Sequence, residues 1–418
     1  MTRPGAGTFV AEQRRPVDKA SVDTNWQLVP LGDRFVDASR LATILRPAPE
    51  GVISLAAGYA HPQLMPMRAL TSSVSRAARR PDVWERPPPA GIRRLREWFA
   101  RTSGDALTAD DVLITGGGQS ALSAAFRALL PPGAPILVES PTYLGALAVG
   151  RAAGLRPVPV PVDEGGVQLD MLAEAFSATG ARAFYCQPTF QNPTGAVLAP
   201  ERRAELLAIA SAAGAFVIED DHARLLPHEH PAPPPLASID QQGRVVYVAS
   251  LTKPTSPNLR IGALIARGPI AERLRSLRVV DDFFPSRLLQ EAALELVESS
   301  AWPRHLATLS SSLTARRRCV TAAVARELPL IQVPLVPRGG MHLWLRLPDG
   351  VDDTVVAEAA ERSGVLVTPG RPCFAAEPPG AYLRLTFSGV AGLPEIEEGV
   401  RRLGSAFASQ ADGGAGAA

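Results

Sequence analysis

Between residues 112 and 249 the chain alternates short apolar runs with longer stretches whose apolar positions recur every three or four places. The runs are 112–115, 136–139, 156–161, 183–187, 215–219 and 245–249. The amphipathic stretches 120–130, 143–153, 169–178 and 199–213 fall between most of them. A short run with little polar alternation predicts a strand covered on both faces, and the 3.6-residue period predicts helices to cover it. This β-then-α rhythm predicts an α/β fold with a mostly parallel sheet between layers of helices.

After about Pro285 the texture changes. Residues 286–328 read as one long helical stretch with few turn signals. They are followed by a strand at 341–347, a helix at 354–363, a strand at 382–387 and a last helix at 393–406. These predict a smaller α+β domain attached through a long helix. The expected organisation is an N-terminal arm and joining helix at 1–50, a large domain at 51–285, the linking helix and small domain at 286–409, and a low-complexity, disordered tail at 410–418. No repeat of fixed period is visible.

Composition removes several classes. Apolar residues make up 46% of 418 positions, enough to build cores. No run of about 18 apolar residues predicts a membrane span. Lys and Arg total 43 against 41 Asp and Glu, so bulk charge offers nucleic acid little. Cys186, Cys319 and Cys373 are odd in number and form no CxxC pair, which predicts neither a disulfide framework nor a metal site. The first twenty residues have no apolar core, and a cytoplasmic location is the expectation. Only two of the basic residues are lysines, Lys19 and Lys253. Codon bias explains the preference for Arg. It also singles out Lys253, because an amine can lose its proton and attack a carbonyl whereas a guanidinium cannot.

In open α/β sheets ligands bind beyond the carboxyl ends of the strands, so the residues after each run carry the chemistry. After 112–115 comes Gly116-Gly117-Gly118-Gln119-Ser120. It reads as a phosphate cradle at a helix N-terminus or as a plain strand-to-helix turn. After 136–139 comes Ser140-Pro141-Thr142-Tyr143, where Tyr143 either stacks on a planar ligand or fills core. After 183–187, Asn192 stands in a loop fixed by prolines. Glu219-Asp220-Asp221-His222 places carboxylates directly behind an apolar strand, to face a cation or, at Asp221, to cap a helix. Ser250-Leu251-Thr252-Lys253, with Arg260 seven residues on, combines an amine, hydroxyls and a guanidinium. Together they suit one ligand with a phosphate, a carbonyl, a flat face, a basic ring nitrogen and a ring oxygen: pyridoxal phosphate.

With these motifs in place, residues 34–403 resemble fold-type I pyridoxal-phosphate enzymes of the class I/II aminotransferase family. The resemblance rests on Gly117-Gly118-Gln119, Pro141-Thr142-Tyr143, Asn192-Pro193-Thr194-Gly195, Glu219-Asp220-Asp221, Ser250-Leu251-Thr252-Lys253, Arg260-Ile261-Gly262 and Leu383-Arg384-Leu385. Phe190-Gln191 and Gly339-Gly340-Met341-His342-Leu343-Trp344 bring it nearest to 2-aminoadipate-type aminotransferases and the aminotransferase-like domain of MocR regulators. The resemblance implies that Lys253 forms the Schiff base and moves the α-proton, and that Asp220 pairs with the ring nitrogen. Asn192 would bind the ring oxygen, and Tyr143 would stack on the ring. Gly118, Gln119, Ser250, Thr252 and Arg260 would hold the phosphate. Arg384 would pair with the substrate carboxylate in a pocket lined by Gly58 and Tyr59.

Three departures stand out. His222 and Ala223 occupy the places where the family has a Tyr that shares the ring oxygen, so His222 is either its replacement or a turn histidine. No Tyr precedes Gly91 to reach a neighbouring subunit's phosphate, where Trp84 and Arg86 are the candidates. Ala60 stands where Pro is common. The implied activity is transfer of an amino group from an amino acid to a 2-oxo acid by a homodimer. The alternatives are another reaction on an amino acid with the same cofactor, such as elimination, replacement, cyclisation or annulation, and a MocR-like regulator. The expectation is against a regulator, because the segment before Arg34 reads as too short and polar for the winged-helix domain that one needs. Segments 33–44, 59–65 and 84–90 would set substrate choice.

Overall fold

The computed structural model describes residues 24–31, Leu41, Leu45 and residues 47–414. Lys19, most of the expected arm, most of segment 33–44 and the last four residues lie outside the described residues. The chain divides into two units, Met1–Asp37 and Ala38–Ala418. In the first, a 3-10 turn Asn25–Gln27 runs into the short helix Leu28–Leu31. All elements that follow belong to the second.

The strands are β1 (Ile53–Ser54), β2 (Val112–Thr115), β3 (Pro135–Ser140), β4 (Arg156–Asp163), β5 (Gly166–Val167), β6 (Ala183–Cys186), β7 (Phe216–Asp221), β8 (Val245–Ser250), β9 (Gly262–Ile265), β10 (His342–Arg346), β11 (Val365–Leu366), β12 (Thr368–Pro369) and β13 (Tyr382–Thr386). Eight of them form one sheet in the order β2-β9-β8-β7-β6-β3-β4-β5. The pairs β3·β4, β3·β6, β6·β7 and β7·β8 are parallel. This is the mostly parallel α/β sheet that the apolar runs predict. Successive residues of each strand enter opposite layers. Val112, Phe184, Val217 and Tyr247 join one cluster, whereas Leu113, Tyr185, Ile218 and Val248 join the other. The runs are continuous because both faces are dry, and each fully buried aliphatic side chain contributes about 1.5–3 kcal/mol.

β9 was not among the expected strands. It is antiparallel to both β2 and β8. Its four residues directly follow Arg260-Ile261, so the loop that carries Arg260 turns straight back into the sheet. β4 carries Pro157, Pro159 and Pro161 at every second place. A strand's N–H groups alternate in direction, so prolines at this spacing keep the donors aimed at β3 and silence those aimed outward.

The expected long helix at 286–328 is two helices, Arg287–Val297 and Ala301–Glu327. Pro303 is the reason. Lacking an N–H, it fits only the first turn of a helix, so a new helix starts just ahead of it. The C-terminal portion holds the antiparallel sheet β10-β13-β12 and its own cluster, including Leu313, Leu343 and Leu385. Residues 53–55, which precede the large sheet in sequence, pack against this portion. β1 pairs with β11, and Leu55 packs in the same cluster. The last helix, Leu393–Gly414, continues past the expected start of the tail at Gln410.

Candidate active site

The carboxyl ends of β2, β3, β6, β7 and β8 open onto one cavity. Its lining includes every residue expected to bind the cofactor: Gly118, Gln119, Tyr143, Asn192, Asp220, His222, Ser250, Thr252, Lys253 and Arg260. Tyr59 lines it too. Arg384 and Gly58 join through hydrogen bonds to lining residues, so the substrate-side candidates reach the same place.

At the mouth, Gly117 has a φ of +98° and opens the helix Gly118–Leu129. A Cβ there would lie 3.1 Å from the Arg260 guanidinium, so the missing side chain is what lets that group lie against the turn. Arg260 is exposed and makes no ion pair among the described residues. Thr252 is buried, and its Oγ1 has no hydrogen-bond partner among the described residues. An unpaired guanidinium, a free hydroxyl and a helix N-terminus at one place form a ready anion site. Tyr143 lies over Gly145, and its hydroxyl donates to Gln119 Oε1 at 3.2 Å.

The floor is different. Asp220 is buried at 4% exposure. Its Oδ2 accepts from the Tyr185 hydroxyl at 2.7 Å and from Gln187 Nε2 at 3.0 Å. Burial pushes its carboxyl up to about 6, and these two hydrogen bonds hold it from rising further. Gln187 Nε2 also meets His222 Nδ1 at 3.0 Å, and Gln187 Oε1 accepts from the Asn192 N–H at 3.1 Å. Glu139 sits beneath, accepting from the Gln187 N–H and from Gln191, with its carboxyl pushed up to about 7 by burial. Asp221 does not cap a helix. It ends β7 and accepts from Tyr247 and Arg224.

Lys253 lies between floor and mouth. Its Nζ donates to the Gly58 carbonyl at 2.5 Å and sits 4.4 Å from the Tyr59 ring centre. Burial first, then Arg384 and Arg260, lowers its ammonium to about 8, against a raising influence from Asp220. Such an amine is deprotonated in part near neutrality, as a nucleophile needs. Arg384, 2% exposed, donates to Asn192 Oδ1 at 3.0 Å, and its Nε is unpartnered among the described residues.

Gly339 lets the Asn192 loop seat. A Cβ there would lie 2.4 Å from the ring of Phe190, two residues before Asn192. Trp84 and Arg86 do not line the cavity, and Trp84 is 71% exposed. Sequence reasoning missed Tyr185, Gln187 and Glu139. The available signal was the polar Gln187 closing an otherwise apolar run, two residues after Tyr185 and so on the same side of the strand. Among the described residues no cluster of His, Cys, Asp and Glu could hold a metal ion, and no helix is long and apolar enough to cross a membrane.

A family model for class I and II aminotransferases matches residues 52–403. The 2-aminoadipate transaminase of Thermus thermophilus is 31% identical over 362 residues, covering 85% of this chain and 90% of that protein. An uncharacterised HTH-type transcriptional regulator of Bacillus subtilis is 28% identical over 84% of this chain and 73% of its own length. Among solved structures, the α-aminoadipate aminotransferase LysN of T. thermophilus, complexed with a phosphopyridoxyl-leucine, superposes with a TM-score of 0.85 at 29% identity, covering 92% of this chain and 98% of that one.

Proposed function

This chain belongs to the class I and II aminotransferase family, and from that premise we propose how its cavity performs the family's reaction. The fold is that of fold-type I aminotransferases, the cofactor is pyridoxal phosphate, and the chemistry is amino-group transfer. The observation that carries the residue assignments is the convergence of an amine, a buried carboxylate and a partnerless guanidinium on one cavity. The fit is chemical. Thr252 Oγ1, Arg260 and the N-terminus at Gly118 supply donors that none of the described residues uses. When bound, the cofactor supplies a carbonyl for amines and a ring that withdraws electrons.

In this reading Ser250, Thr252, Gly118, Gln119 and Arg260 hold the phosphate. Tyr143 would stack on the ring, and Asp220 would pair with the ring nitrogen and hold its proton. Lys253 would supply the amine that holds the cofactor's carbonyl carbon, and its Nζ would carry the proton to and from the substrate α-carbon. Arg384 binds the substrate carboxylate, and Gly58, Tyr59 and Asn192 bound the substrate pocket. The division into a large portion and a smaller C-terminal one, with the substrate between them, is part of the same proposal.

The working form is a homodimer. Exposed Trp84, Val280 and Phe283 and the exposed Arg260 support a covering subunit. Free thiols at Cys186, Cys319 and Cys373 suit a reducing, cytoplasmic setting. The partners are an amino acid and a 2-oxo acid in biosynthesis, with no nucleic acid or membrane. DNA binding that persisted at physiological salt would overturn the last point. The main experiment incubates the purified protein and cofactor with a panel of amino acids. It follows 2-oxo acid and pyridoxamine phosphate by mass spectrometry, and failure of every donor to yield both would sink the assignment.

A further inference from the structure

At the ring-oxygen position His222 stands where the family resemblance implies a tyrosine hydroxyl. We propose that Gln187 locks His222 as the neutral tautomer with its proton on Nε2, so that His222 and Asn192 present two N–H donors to the cavity. The proposal rests on the cofactor reading only for the identity of the acceptor. The tautomer follows from the protein alone.

The two ends of the Gln187 amide are fixed by different partners. Its Oε1 accepts the Asn192 N–H at 3.1 Å, and a backbone N–H can only donate. Its Nε2 donates to Asp220 Oδ2 at 3.0 Å, an oxygen that also takes the Tyr185 hydroxyl. A flipped amide would set a carbonyl against a carboxylate and an NH₂ against an N–H. The second proton of Nε2 points to His222 Nδ1, also 3.0 Å away. An NH₂ cannot accept, so Nδ1 must be the bare nitrogen, and the imidazole proton sits on Nε2. Nε2 makes no hydrogen bond to any of the described residues, while the ring lines the cavity.

The charges around the ring agree. Burial pushes His222 down to about 3, and Lys253 and Arg384 both oppose a positive imidazole. Asp220 is linked to the ring through the Gln187 amide. His342 is a further imidazole in this neighbourhood and is itself held neutral by burial. His222 is therefore an uncharged N–H donor across the working range. Asn192 reaches the same condition by another route. Its Oδ1 is taken by Arg384 Nη1 at 3.0 Å, which leaves Nδ2 to donate. Gln187 is thus a positioning residue that serves the carboxylate, the imidazole and the Asn192 backbone at once.

The test is long-range ¹⁵N–¹H NMR of imidazole-labelled protein, prepared without cofactor. The chain has 6 histidines, and the signal lost in His222→Asn identifies the one of interest. The expected pattern is a neutral Nε2–H imidazole that does not titrate between about pH 5 and 8. An imidazolium, or a proton on Nδ1, in the unaltered protein at pH 7 would overturn the proposal, whatever the variants do. Gln187→Glu puts an acceptor opposite Nδ1 and is expected to move the proton there. Gln187→Met is expected to give a mixture of tautomers, and an unchanged Nε2–H signal in both variants would also overturn it. With cofactor added, removing the donor in His222→Phe is expected to raise the pH at which the visible band titrates by about one unit, because a hydrogen bond favours the charged form of its acceptor. An unmoved midpoint counts against the donor role. A protein that shows the tautomer but takes up no cofactor would refute the cofactor reading of the site and leave the tautomer standing.

Discussion

The two ends of the cavity obey opposite rules. At the mouth, Arg260 and Thr252 Oγ1 have no partner among the described residues. On the floor, Asp220, Gln187, Tyr185 and Asn192 hold one another in a closed set of hydrogen bonds. Both ends are rich in polar groups, so polarity alone does not separate them. Unpaired groups mark where a ligand brings the missing partner. Mutually paired groups mark where geometry and protonation have been set beforehand. The mouth should therefore govern how tightly the cofactor is held, and the floor how fast the reaction runs.

Lys253 joins the two ends, and its loss is expected to have the largest effect. Lys253→Ala should cost on the order of 10²–10⁴-fold or more in turnover and abolish the shifted visible band of the bound cofactor. Persistence of that band would move the amine's role elsewhere, and Lys19 is the other lysine in the chain. Next comes Asp220→Ala, expected to lower turnover roughly 100-fold or more at saturating cofactor, the scale of breaking a buried ion pair. Arg260→Ala should weaken cofactor binding by about 1.5–3 kcal/mol, roughly 10–100-fold in Kd, with turnover retained once cofactor saturates. The comparison breaks if the Arg260 variant is slow at saturation while the Asp220 variant merely binds less well.

Two smaller effects sharpen the floor. Glu139 is raised to about 7 in the folded protein, above its unfolded value near 4.5. Its contribution to stability is present below the unfolded value and is lost as pH rises through about 7. Denaturant melts of the two proteins at pH 5 and pH 8 should therefore show Glu139→Gln gaining on the unaltered protein at the higher pH. The gain should be at most about 3 kcal/mol. Tyr185→Phe removes one of the hydrogen bonds that lower Asp220, so Asp220 should ionise at higher pH. The acid limb of the turnover–pH profile is expected to move upward, by less than about one unit. An unmoved limb would separate Asp220 from the rate.

Much of this was legible in the sequence because strand ends do two jobs. The same local order that makes an apolar run stop also names the residue beyond it, so Asn192, Asp220, Ser250 and Lys253 stood in view. Gln187 and Tyr185 did not, since their roles depend on which strand lies alongside. Only the pairing of Cys186 with Glu219 brings Gln187 next to Asp220. β9 was hidden for a related reason, because its four residues look like the end of the Arg260 loop until β2 and β8 are seen flanking them. The helix break was readable at Pro303, although the stretch around it is otherwise rich in helix formers. The charge state of His222 was out of reach, because it depends on burial and on Lys253 and Arg384, both distant in sequence.

The alternate prolines of β4 bear on assembly as well as on the sheet. They leave that strand's outward edge without donors over Pro157–Pro161, and the far edge strand, β2, is met by the Ala90 carbonyl at the Ile114 N–H. The proline run of β4 and the β2 edge at Ile114 therefore offer a second copy no open ladder to extend. In the proposed homodimer, association would then use helices and loops, and these stretches of the sheet are protected from the strand-by-strand growth that turns exposed edges into aggregates.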